Sequence, residues 1–127
     1  MERFVYDKNA LPCPVIDGHD EWVALYYKAW ELAFQNVEYI DQPGWKPQMT
    51  CMPGVNTIWQ WDSCLMTFIT NYANGTITAL NNLDNLYRMR DEESGYMSMA
   101  YRISTEKPAW PGRINPPLMA WAEWNAY

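Results

Sequence analysis

A chain of 127 residues is long enough for one small domain, and its 49% hydrophobic and 19% charged residues predict a packed globular core, not a disordered tail. A formal net charge of −6 removes the clustered Lys and Arg field that phosphate contacts need, so nucleic acid is not an expected partner. There is no run of about 18 apolar residues to span a membrane, and the opening MERFVYDKNALP has no apolar stretch of the secretory kind, so the chain reads as soluble with its localisation open.

Cys13, Cys51 and Cys64 form no CxxC pair and the only histidine is His19, so neither a metal nor a cofactor is expected and the thiols read as buried and free. Eight Trp and nine Tyr are the outlying numbers: rings on this scale suit a large core, and equally a pocket that stacks on the apolar faces of sugars.

Residues 1–19 contain Pro12, Pro14 and Asp17-Gly18, which predict an extended N-terminal segment, leaving 20–127 for the helical body. From about Asp20 to Gln35, Trp22, Leu25, Tyr26, Trp30, Ala33 and Phe34 recur at steps of three and four, the pattern of an amphipathic surface helix. Pro43, Gly44, Pro47, Pro53 and Gly54 make 41–57 a long loop. A second helix is expected from Ser63 to Ala73, with Asp62 at the N-cap position and Gly75 beyond its end; Leu65, Met66, Phe68, Ile69 and Tyr72 spread over its circumference and ask for burial on several sides. The third, Ile77 to about Arg90, sets an apolar stripe against Asn81, Asn82, Asp84, Asn85 and Arg88 and belongs at the surface. Weak alternation after Gly95 predicts a short β-hairpin near 95–104, followed by a turn at Trp110-Pro111-Gly112. A last, buried helix opens with Asn115 as cap and Pro116 at its first position, then carries Leu118, Met119, Trp121 and Trp124.

The order surface, buried, surface, buried fits two concentric rings of helices, in which the inner helices begin at one cavity. A four-helix bundle meets the same requirement, since all four helices need buried faces there too. Chemistry concentrates at Trp59-Gln60-Trp61-Asp62, where two indoles and a carboxylate meet at a helix start. A carboxylate accepts bonds from adjacent sugar hydroxyls while an indole face packs on C–H groups. Asp62 is equally suited to be a helix cap with the tryptophans as core, and Asn115 is either a cap or a ligand contact. Asp91, Glu92 and Glu93 read as a solvated cluster.

Trp61-Asp62-Ser63 before an apolar helix, then Leu83-Asp84-Asn85-Leu86-Tyr87, Gly95-Tyr96, Asn115-Pro116-Pro117-Leu118 and Ala120-Trp121 resemble the opening of trehalase-like glycosidases, with glycoside hydrolase family 63 and mannosylglycerate-hydrolase-like proteins the nearest in pattern. The resemblance covers residues 20–127 and implies an all-α fold, helical hairpins forming part of an (α/α)6 toroid. It implies an N-terminal portion of an inverting α-glycoside hydrolase that contributes sugar-binding wall, with Trp59, Trp61, Asp62, Asn115 and Trp121 as substrate-binding residues. The catalytic acid and base of such enzymes lie further along the chain, so no catalytic residue is assigned here. Two departures stand out: the family usually has Gln at the place of Asn115, and Pro53-Gly54-Val55-Asn56 replaces the Pro-Gly-Gly-Arg-Phe signature of trehalases. A non-catalytic carbohydrate-binding or protein-interaction module is the alternative. The partners expected are a carbohydrate ligand and a second copy of the chain, a homodimer through Leu65, Met66, Phe68, Ile69, Leu118, Met119, Trp121 and Trp124.

Overall fold

Four helices and two small antiparallel sheets make up the residues described, 3–127, in a computed structural model of the chain. The fold is therefore mixed α/β, and the expectation of an all-α (α/α)6 toroid part is overturned by the sheets that tie the helix ends together. Of the N-terminal segment, residues 1 and 2 lie outside the described residues; the remainder is irregular apart from a 3-10 turn at Lys8–Ala10, and it buries Leu11 in the core.

Helix α1 (Asp20–Gln35) opens on Asp20 and Glu21, which favour the positive end of its dipole, and closes where the Asn36 N–H reaches the Leu32 carbonyl at 3.0 Å. Trp30 and Phe34 are buried, but Trp22 and Leu25 of the same predicted stripe are exposed, Trp22 stacking on His19 with centroids 4.0 Å apart. Strand β1 (Val37–Glu38) pairs with β2 (Gln48–Met49), so the expected long loop begins with an ordered return. Strand β3 (Thr57–Trp59) pairs with β4 (Ala100–Arg102), which pairs with β5 (Lys107–Pro108). The hairpin thus lies later than 95–104, turning through Glu106 in a left-handed conformation with φ 54°.

Helix α2 (Gln60–Thr70) follows β3 without a linker, and its first donor, the Gln60 N–H, reaches the Met99 carbonyl at 3.0 Å. Because the sheet supplies that partner, no side chain caps the helix: Asp62 is its third residue, not its N-cap. Helix α3 (Leu80–Met89) starts later than expected, with the Leu80 N–H on the Thr78 hydroxyl at 3.1 Å. Helix α4 (Met119–Ala126) starts four residues beyond Asn115, because Pro117 disfavours helical backbone at Pro116 and moves the start along the chain; Asn115 caps nothing.

Burial departs from the predicted alternation at α3 and α4, and in α2 it falls on other residues than expected. In α2 the buried residues are Gln60, Ser63, Cys64, Thr67 and Thr70, while Leu65 and Ile69 are exposed. In α4 only Ala122 is buried, and Trp121 and Trp124 are exposed; Met66, Phe68, Leu118 and Met119 are half-buried. The third helix, expected at the surface, buries Leu83, Leu86 and the supposedly solvent-facing Asn82 and Asn85. The physical reason is hydrogen bonding. Asn82 and Asn85 pair with the backbone of residues 46–49, so the core side of α3 is partly polar and fully satisfied.

Candidate functional site

Pairing of β3 with β4 sets Trp59 opposite Ala100, and the Met99 N–H continues the contact to the Arg113 carbonyl at 3.0 Å. That register carries the loop after β5 back over β3. Trp110 then lies against Trp59, with ring centroids 5.1 Å apart and planes tilted by 33°. The two indoles, Met99 and Arg113 line a hollow of about 460 Å³. The loop is pinned by one phenol: the Tyr96 hydroxyl donates to the Arg113 carbonyl at 3.1 Å and accepts from the Gly112 N–H at 3.0 Å. The Nε1 donor of Trp59 is buried without a partner.

Asp62 lies in a narrow cleft with about 10 Å³ of free space, room for one water-sized group, which also includes Trp59, Gln48 and Cys51. Both polar atoms of the Gln48 amide are buried there without partners. Burial first, then the charge of Asp62 and a hydrogen bond to it, push the Cys51 thiol above its ordinary value. Cys51 and Cys13 are exposed, which corrects the expectation of buried thiols; Cys64 alone is buried, and desolvation followed by the Glu123 charge pushes it up to about 11.

The remaining candidates lie apart. Trp61, next in sequence, is exposed on the α2 surface. Asn115 lines a separate hollow of about 400 Å³ with Gln60 and Tyr87, and its Nδ2 donates to the Met99 carbonyl at 3.3 Å. Trp121 packs on Phe68 with centroids 4.5 Å apart. Sequence reasoning passed over Trp110, Met99 and Arg113; an aromatic and a cation flanking the Pro111-Gly112 turn were the visible signal, but nothing local assigns that turn to Trp59. Another hollow, of about 480 Å³, lies between α1 and α2 and is lined by apolar side chains with Tyr26 and Tyr72, an arrangement short of groups to orient a polar ligand.

Comparison with protein-family models, with curated proteins and with solved structures finds no match. Among the described residues no group of three or more side chains is arranged to hold a metal ion, and no helix is long and apolar enough to cross a membrane.

Proposed function

We propose that the chain binds carbohydrate in the Trp59–Trp110–Arg113 hollow, with Asp62 in the cleft that shares Trp59, as sugar-binding wall of a glycoside hydrolase acting on an α-linked substrate. The observation that carries this reading is the indole pair, Trp59 against Trp110, in a hollow that Met99 and Arg113 complete. Two ring faces present apolar area to the C–H groups of a pyranose, and Arg113 is the one lining residue whose side chain carries N–H donors for hydroxyl oxygens beside the indole N–H groups. The bonds from Tyr96 to the Gly112 N–H and the Arg113 carbonyl fix the backbone of the turn that carries both side chains before any ligand arrives, which reduces the ordering cost of binding. None of the residues lining the hollow is a carboxylate, so neither a general acid nor a general base is assigned to it.

The test is a titration of the chain with glucose, mannose and α-linked disaccharides of glucose, followed by tryptophan fluorescence and by the indole N–H signals in NMR. Affinity in the millimolar range is expected for so open a hollow, with a loss of about tenfold or more for Trp110→Ala and for Arg113→Ala. Indole signals of Trp59 and Trp110 that stay still up to about 100 mM sugar would sink the reading.

A further inference from the structure

Helix α2 is packed with its apolar side outward. Ser63, Cys64, Thr67 and Thr70 are buried, while Trp61, Leu65, Ile69 and Tyr72 follow one another at three- and four-residue steps as an exposed stripe running from the helix to just past its end. Beside this stripe α4 adds Trp121, held against Phe68, and Trp124, which is 82% exposed. On the α1 side runs the apolar groove of about 480 Å³, in which Ala29 and Ala33 leave room between Trp30 and Phe68.

We infer that this face is the contact surface for a second copy of the chain in a twofold dimer, the Trp124 indole of each copy entering the α1–α2 groove of the other. The area fits. The four exposed rings and two aliphatic side chains of the stripe and α4 offer roughly 700 Å² of apolar surface, near the ~800 Å² per partner of a stable interface and above the largest patch of a typical monomer. The charge pattern fits a like partner. Asp62 is the one charged residue of α2 and Glu123 the one of α4, so apposed copies meet no wall of like charge and need no complementary one. Trp121 meets Phe68, which also lines the groove, and Trp124 follows Trp121 by three residues along α4, so projection and groove are neighbours and a single twofold axis can serve both copies at once and close the assembly.

Sedimentation equilibrium on the 127-residue chain between about 1 and 100 μM reads this directly. The expected mass is twice 14.9 kDa. Ile69→Lys and Trp124→Glu, both at exposed positions, are each expected to raise the dissociation constant at least about 100-fold while circular dichroism and the thermal melt stay those of the parent chain. A monomer throughout the range, growth beyond two copies, or a dimer indifferent to both substitutions overturns the inference. Trp59, Trp110 and Arg113 take no part in this face, so the sugar titration and the association measurement succeed or fail independently.

Discussion

Asn82 holds Met49 by both backbone groups: its Oδ1 accepts from the Met49 N–H at 2.9 Å and its Nδ2 donates to the Met49 carbonyl at 2.6 Å. One turn further along α3, Asn85 does the same to Lys46, at 3.1 Å in each direction. A helix thereby supplies to β2 and the loop before it the pairing that a neighbouring strand would supply, and the amide of Asn82 also reaches the Ser63 hydroxyl on α2 at 3.2 Å. Three elements depend on this side chain.

Asn82→Ala leaves two buried backbone groups without partners, and about 2–4 kcal/mol of destabilisation is expected from urea unfolding. Asn85→Ala is expected to cost about 1–2 kcal/mol, since the Lys46 backbone is only part-buried and water can replace the amide. Equal costs below about 0.5 kcal/mol at both positions would show that the loop holds itself.

Glu106 joins the β4–β5 turn to Trp45 and α3. Its carboxylate accepts from Trp45 Nε1 at 2.8 Å and pairs with Arg88; the indole bond first and the guanidinium after it hold it below its ordinary 4.5, against the opposing effect of burial. A folded value below the unfolded one means that the stabilisation is complete above about pH 4.5 and disappears as pH falls through the depressed value. The melting temperature of Glu106→Gln is therefore expected to lie below that of the parent at pH 7, by a difference worth about 1 kcal/mol or less at this partly exposed site, and to converge with it as pH falls below the depressed value. A difference that does not change with pH would remove the charge from the account.

Gly44 has φ 82°, and a Cβ there would stand 3.3 Å from Arg88 Nε. Gly44→Ala is expected to cost about 1–2 kcal/mol from the strained backbone and the displaced guanidinium together. Combined with Glu106→Gln, the two losses should sum to less than their separate values, because both act through Arg88. Full additivity in a double-mutant cycle would separate them.

The thiols are expected to differ in reactivity. Cys64 is buried with its thiol pushed up to about 11, so iodoacetamide should modify it only on unfolding. Cys51 is accessible but shares its cleft with the Asp62 carboxylate, which disfavours the thiolate. Asp62→Asn removes that charge and is expected to speed alkylation of Cys51 severalfold at pH 8, read by peptide mass mapping. An unchanged rate would show that burial alone sets this thiol.

Where apolar residues recur at the helical period over many residues, the sequence by itself determined the element: α1 spans Asp20–Gln35 as its spacing requires, and Leu83 and Leu86 of the α3 stripe are buried. Periodicity states which side chains share a face. It does not state which face meets the core. In α2 the small polar residues pack inward because the Asn82–Ser63 bond and the Thr70 hydroxyl, accepting from the Ala79 N–H at 3.1 Å, satisfy them there, and the apolar stripe is left outside. The strands, of two or three residues, are too short to show alternation, and Thr57 meets Arg102 only through pairing between segments far apart in the chain. That pairing brings Trp110 and Arg113 to Trp59, and it also moves the start of α2 back to Gln60, making Asp62 a residue of the first turn. Only the tertiary structure decided these points, because each depends on a hydrogen-bond partner that no local stretch of sequence names.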